Sequence, residues 1–361
     1  MNVHGIAYRS IWPVGQRAVG IIDQTRLPYE FCTLELVDAE DMVTAIASMQ
    51  VRGAPLIGVA AAYGIALAMN RDAADARLDH ACERLLASRP TAVNLRWAVQ
   101  RMRGRLHRLR ADQRAEAAWR EADAMAQEDV SSNRAIGSYG SALLAQLHAR
   151  TGRPVNVLTH CNAGWIATVD FGTALAAVYL AFDAGVPLHV WVDETRPRNQ
   201  GLLTAWELAA HGVPHSLIAD NAGGHLMQHG KVDLVLVGAD RVSRTGDVCN
   251  KIGTYLKALA ARESEVPFYA AVPSPTIDWQ LGDALHDAPI EERAASELRV
   301  VRGLDAAGRP ASVELASPDT PVGNPAFDVT PARLVTGLIT ERGIARPGDL
   351  RTLFPEASAA P

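Results

Sequence analysis

The stretch "PVNVLTHCNAGWIATVDFGTALAAVYLAFDAGVPLHVWVDE", residues 154 to 194, decides the architecture. It holds two short apolar runs, "VNVLT" (155 to 159) and "PLHVWV" (187 to 192), on either side of a helical pattern near 171 to 184. Val- and Leu-rich runs of this length, separated by one helix, read as buried parallel strands joined by a crossover. Three further runs continue the theme: "PHSLIA" (214 to 219), "VDLVLV" (232 to 237) and "PFYAAV" (267 to 272). Helical patterns near 200 to 211 and 250 to 263 alternate with them. Such alternation predicts a Rossmann-like parallel sheet flanked by helices over residues 151 to 345.

Upstream the texture differs. "AVGIIDQTRLPYEFCTLELVD" (18 to 38) carries two β-like runs around Leu27-Pro28, a hairpin signal. Helical patterns follow at 39 to 49, 55 to 70, 72 to 87 and 92 to 109, the last opened by Pro90 and Thr91. The Ala/Glu/Arg-rich stretch from 112 to 149 reads as one or two more helices with a solvated charged face. The chain is thus expected to be α/β, with a mostly helical N-terminal domain bearing a small β element over 1 to 150. The Pro- and Ala-rich tail, 346 to 361, is expected to be loosely ordered.

A length of 361 residues fits two domains, and 48% apolar residues suffice for a sizeable core. The net charge of −5 argues against a nucleic-acid partner. The four cysteines, Cys32, Cys82, Cys161 and Cys249, are scattered and form no C-x-x-C pair, as suits a reducing compartment. The N-terminus lacks the charged and apolar regions of a signal peptide, and the apolar run from 56 to 69 is too short to span a bilayer. A cytoplasmic protein without a membrane partner is expected.

Ligands of open α/β sheets bind outside the carboxyl ends of the strands. The residues that follow the five runs are His160-Cys161-Asn162, Asp193-Glu194-Thr195-Arg196, Asp220-Asn221, Gly238-Ala239-Asp240-Arg241 and Pro273-Ser274. Cys161 reads either as a packed small residue or as a thiol at a helix N-terminus, where the dipole would draw its pKa down toward neutrality. Asp240 reads as a turn residue, as the partner of Arg241, or as a chemical group. His160 reads as a buried hydrogen-bonding residue, and no second ligand stands at metal spacing from it. Arg52 and Gly53 precede a helix with Pro55 in its first turn, which makes an anion site of free N–H groups beside a guanidinium. Asn250 and Lys251 read as opening another helix, with Lys251 either a phosphate grip or a surface lysine. The P-loop, G-x-G-x-x-G, G-x-S-x-G and H-E-x-x-H patterns are all missing, which disfavours kinase, dehydrogenase, hydrolase and metalloprotease readings.

The segments "VRGAPLIGVAAAYG", "SRPTAVNL", "THCNAG", "ETRP..QG", "LTAWEL", "GADRV...GDVCNKIGTY", "PIEER" and "NPAFDVTP" occur in this order between residues 51 and 331. As an ordered set they closely resemble the methylthioribose-1-phosphate isomerase family of methionine salvage. That superfamily also holds regulatory subunits of a translation-initiation exchange factor and ribose-1,5-bisphosphate isomerases. The resemblance implies conversion of an aldose 1-phosphate to a ketose 1-phosphate by a Cys and an Asp, here Cys161 and Asp240. It implies substrate contacts from Arg52, Gly53, Ala54, Arg89, Gln200, Asn250 and Lys251. It also implies a small sugar-phosphate substrate, a homodimer, and neither metal nor organic cofactor. Two departures stand out. "QGLLTAWEL" (200 to 208) is shorter than in many members and lacks an Arg, so a rearranged loop after Gln200 is expected. Cys249 stands where many members have Ala, and packing is its plainer reading. An isomerase of 5-deoxyribose 1-phosphate or another 5-modified pentose, and a non-catalytic sensing subunit, are the rival readings.

Overall fold

The computed structural model describes residues 1 to 3 and 5 to 358. The N-terminal part is built on a three-stranded antiparallel sheet, β1 (Ile11–Val14), β2 (Ala18–Ile22) and β3 (Thr33–Leu36). The expected hairpin is β2–β3, and β1 is an additional strand. Five helices follow: α1 (Ala39–Ala47), α2 (Ala54–Arg71), α3 (Asp75–Ser88), α4 (Val93–Leu106) and α5 (Ala111–Thr151). A capping box starts α1: the Asp41 N–H donates to Asp38 Oδ1 at 2.8 Å and the Asp38 N–H donates to Asp41 Oδ2 at 3.1 Å.

Helix α2 is the hub of this part. Its Ala and Gly positions let neighbours approach closely; a Cβ on Gly58 would lie 2.9 Å from the Asn94 carbonyl oxygen of α4. By length and composition α2 could cross a membrane, yet 89% of it is buried inside the protein. Its all-round hydrophobicity is that of a core helix.

The 112 to 149 stretch forms one helix rather than two. Its first half gives Ala117, Trp119 and Met125 to the helical core, and its second half gives Ile136, Leu144 and Leu147 to the core under the sheet. A Cβ on Gly140 would come within 2.5 Å of the Ala177 methyl, so this small residue permits the helix contact. Gly152, at φ +67°, ends α5 in the left-handed cap that glycine adopts without strain.

From Val155 onward the chain builds a seven-stranded sheet. Its elements are β4 (Val155–Thr159), α6 (Ala174–Asp183), β5 (Leu188–Asp193), α7 (Gly201–His211), β6 (His215–Ile218), α8 (Ala222–Gln228) and β7 (Leu234–Val237). A smaller excursion, β8 (Arg241–Ser243) and β9 (Val248–Lys251), leads to α9 (Thr254–Glu263) and back to the sheet as β10 (Phe268–Ala271). Then come β11 (Ile277–Asp278), a hairpin of β12 (Val300–Leu304) and β13 (Pro310–Glu314), β14 (Phe327–Thr330), β15 (Gly337–Thr340) and β16 (Gly343–Ala345). The large sheet runs β16-β15-β10-β7-β4-β5-β6, parallel except for the β15–β16 edge. The smaller sheet runs β11-β8-β9-β14.

The structure corrects two expectations. Asn250 and Lys251 lie on β9, opposite Asp328 and Phe327 of β14, and the helix begins only at Thr254. Their partner strand is distant in sequence, so local pattern gives no hint of the pairing. The tail also packs: Leu350 and Phe354 are buried, with the Phe354 ring 5.8 Å from that of Trp279. The last three positions of the expected loose tail, 359 to 361, lie outside the described residues.

Candidate active site

Strands β4, β5 and β6 step to one side of the large sheet, and β7 is added on the other side of β4. The loops after β4 and β7 therefore diverge and open a crevice at the switch point. Cys161 leaves β4 and Asp240 leaves β7, so adjacent strand ends deliver both groups to one place.

Cys161 sits at φ +66°, a left-handed conformation that costs a non-glycine residue energy unless its surroundings enforce it. They do so here. Its N–H donates to Thr195 Oγ1 at 2.8 Å, and its carbonyl accepts from the Thr204 hydroxyl at 2.8 Å. The expected helix N-terminus is not at Cys161. A single 3₁₀ turn, Trp165–Ala167, intervenes, and α6 starts at Ala174. The thiol pKa consequently moves the other way: burial pushes it up, opposed by the charges of Arg52 and Lys251.

Burial likewise raises the Asp240 carboxyl, against the pull of Lys251, Arg89 and Arg52. An Asp240–Arg241 ion pair is not formed. Arg241 turns to Asp278 at 2.9 Å and donates to the Thr91 carbonyl at 2.7 Å. Cys249 packs with Leu281, Ala284 and Val329, and burial pushes its thiol up to about 12. Packing is thus its role, since it does not line the crevice.

All nine residues named from the sequence line one cleft: Arg52, Gly53, Ala54, Arg89, Cys161, Gln200, Asp240, Asn250 and Lys251. Gln200 keeps its place despite the shortened segment, at the N-cap of α7. Gly53 is the N-cap of α2 at φ +98°, and a Cβ there would lie 2.3 Å from the Ala167 carbonyl oxygen. Gly53→Ala is therefore expected to lower stability by about 1–3 kcal/mol. It should also shift the Ala167 wall of the cleft, which denaturant titration and turnover measured together would check.

Sequence reasoning missed Asn162, Glu291 and Arg293, which also line the cleft. Arg293 pairs with Glu291 at 2.7 Å, and Glu291 reaches Arg89 at 3.4 Å. The charged "PIEER" segment was the available signal. The cleft is strongly cationic, with Lys251 desolvated beside the Phe327 ring at 5.2 Å. Three polar atoms, Arg52 Nε, Arg89 Nε and Gln200 Oε1, are buried without a hydrogen-bond partner among the described residues. Two donors and an acceptor left open in one cleft suit a ligand that carries both oxyanions and hydroxyls.

Behind Cys161, ligand atoms of His160, Asp193 and Asp220 lie within 4.8 Å of one another. Lys257 already fills this cluster. Its Nζ is 3.0 Å from Asp193 Oδ2 and donates to the Asp220 carbonyl at 2.6 Å. His160 spans Asp193 at 3.1 Å and the Ile252 carbonyl at 2.8 Å, as a buried hydrogen-bonding residue. The cluster is an internal ion network.

The Initiation factor 2 subunit family matches residues 50 to 347. A methylthioribose-1-phosphate isomerase of Methylorubrum populi is 59% identical over 364 residues, covering 100% of both chains. The chain belongs to the initiation factor 2 subunit family and, within it, to the methylthioribose-1-phosphate isomerases. A second isomerase of that name, from Methylobacterium nodulans, is 60% identical with 100% coverage of both. Among solved structures, 5-methylthioribose 1-phosphate isomerase from Pyrococcus horikoshii is 40% identical, with a TM-score of 0.83 over 97% of this chain and 96% of its own. A structure titled translation initiation factor eIF-2B, subunit delta, from A. fulgidus is 39% identical, with a TM-score of 0.78 over 97% and 100%. The family's fold is the one described above, a helical N-terminal part on a mostly parallel sheet.

Proposed function

We propose that the protein is an aldose–ketose isomerase of methionine salvage that converts 5-methylthioribose 1-phosphate to 5-methylthioribulose 1-phosphate. The observation that carries the site assignment is the meeting of Cys161 and Asp240 at the switch point, in a cleft walled by Arg52, Arg89 and Lys251. The cations and the α2 N-terminus grip the phosphate. A phosphate on the anomeric carbon blocks spontaneous ring opening, so the ring oxygen must be protonated as it leaves. Asp240, with its pKa raised by burial, supplies that proton and the C1–O bond breaks. Hydrogen then passes from C2 to C1 with its electron pair, and the C2 hydroxyl proton returns to the Asp240 carboxylate. Every proton taken is given back, and the product is the ketose. Cys161, kept as a thiol by burial, steadies the cationic carbon with its polarisable sulfur.

A second chamber opens off the cleft and shares Met49, Arg52 and Gln200 with it. Leu27, Pro28, Leu202 and Leu203 give it an apolar wall, suited to the 5-methylthio group. The experiment is turnover of 5-methylthioribose 1-phosphate against 5-deoxyribose 1-phosphate by the purified protein. The methylthio sugar is expected to be used with the higher kcat/KM. Faster use of the deoxy sugar overturns the substrate assignment, and no isomerisation of either favours a sensing subunit. A homodimer in the cytoplasm completes the proposal, and sedimentation velocity checks the dimer.

A further inference from the structure

One buried carboxylate beside the cleft has no part in the chemistry above. Glu207 of α7 is 1% exposed, and its two oxygens accept three hydrogen bonds. Oε2 accepts from the Trp165 N–H at 2.8 Å and the Tyr179 hydroxyl at 2.7 Å, while Oε1 accepts from Asn162 Nδ2 at 2.8 Å. Asn162 Nδ2 also donates to Thr204 Oγ1 at 3.1 Å, one turn before Glu207 on the same helix face. Both amide protons of Asn162 are thus committed toward α7. Its Oδ1 is left facing Arg52, and Arg52 donates to that oxygen and, at 3.4 Å, to the Asn162 carbonyl.

Glu207 fixes one end of this chain of bonds, and Arg52, which only donates, fixes the other. A carboxylate only accepts, so Asn162 must present its NH₂ to it and its oxygen to Arg52. The guanidinium is then held on the cleft wall with Nε still open. The same helix face anchors the loop after β4, because the Thr204 hydroxyl that accepts from Asn162 donates to the Cys161 carbonyl. Gly164 makes room for the arrangement, since a Cβ there would lie 1.9 Å from Glu207 Oε2. Burial alone raises the Glu207 carboxyl, and the three donors together with the Arg52 charge oppose the rise.

We infer that Glu207 is a positioning residue that, through the amide of Asn162, sets the Arg52 guanidinium to receive the substrate phosphate. The inference rests on the proposed phosphate contact of Arg52. Glu207→Gln keeps the shape but reverses one end of the chain. With the new amide's oxygen on Trp165 and Tyr179, its NH₂ faces the Asn162 NH₂. Asn162 must then turn, which places donors against Arg52. The substitution is expected to raise KM by about 10- to 100-fold, the range of a lost hydrogen bond to a charged group, with kcat changed less than KM. The double variant Glu207→Gln/Asn162→Asp restores complementarity. The carboxylate introduced at position 162 accepts both from the amide NH₂ introduced at position 207 and from Arg52. It is expected to recover most of the lost kcat/KM.

The measurements are steady-state kinetics on the sugar phosphate, and calorimetric binding of inorganic phosphate to wild type and both variants. A Glu207→Gln protein with wild-type KM and phosphate affinity overturns the inference. So does a double variant no better than the single one. If the single variant does not fold, the double variant decides alone: kcat/KM within about tenfold of wild type supports the relay and a larger loss overturns it. An inactive wild type that still binds phosphate in a Glu207-dependent way would instead count against the proposed reaction.

Discussion

Asp240→Asn is expected to lower kcat by about 10²–10⁴-fold while the protein melts within a few degrees of wild type. Asn matches Asp in size and can donate a hydrogen bond from its amide, so the cleft keeps its shape. What it cannot do is deliver a proton to the departing ring oxygen and take one back. Asp240 makes no ion pair with Arg241 that the substitution would break, and its own N–H stays on the Cys249 carbonyl at 3.0 Å. The pH dependence has a definite sign. The working form is the protonated acid, so activity is present below the Asp240 pKa and is lost as pH rises through it. Burial raises that pKa, which extends activity upward, and Lys251, Arg89 and Arg52 pull it back. Lys251→Met removes the first of these pulls. The alkaline limb of its kcat/KM profile should move to higher pH even though binding weakens. A tenfold or smaller loss in Asp240→Asn would transfer the acid role to another group.

The parallel sheet is readable because its strands are short, apolar and locally bounded; β4 spans 155 to 159 as its sequence pattern indicates. The strand ends then name the cleft. Cys161 and Asp240 each follow a run that the periodicity exposes, whereas Gln200 comes only from the family resemblance. What stays hidden depends on distant partners. Asn250 and Lys251 take β structure from Phe327 and Asp328, and no window around residue 250 contains them. Arg293 and Glu291 reach the cleft from a segment without periodicity. The thiol pKa departs from expectation for a related reason: a 3₁₀ turn and a loop separate Cys161 from α6, which begins at Ala174, so no helix dipole acts on the thiol and burial decides. Local pattern reports which residues are in elements, while desolvation is a property of the assembled fold.

Cys161→Ser is expected to lower kcat by about 10²-fold or more with little change in KM, because the sulfur acts on the reacting carbons and not on the phosphate. The size of that loss does not by itself separate a thiolate base from a neutral thiol, but protonation states do. A base mechanism needs Cys161 deprotonated while Asp240 is still protonated. Burial raises both groups above their ordinary values, so the desolvation that keeps Asp240 protonated also keeps Cys161 a thiol. Desolvation thus works against the combination that a base mechanism requires. The phosphate dianion disfavours it further by repelling a thiolate. A transfer that moves hydrogen with its electron pair needs only the protonated acid and the neutral thiol, the forms that burial favours. Substrate carrying deuterium at C2 should therefore yield ketose with the label on C1 and none released to water. An enediol formed by Cys161 would exchange that label, and its rate would climb as pH approaches the thiol pKa instead of falling. Label found in the solvent, together with a rising alkaline limb, would return the base role to Cys161 and remove the direct transfer.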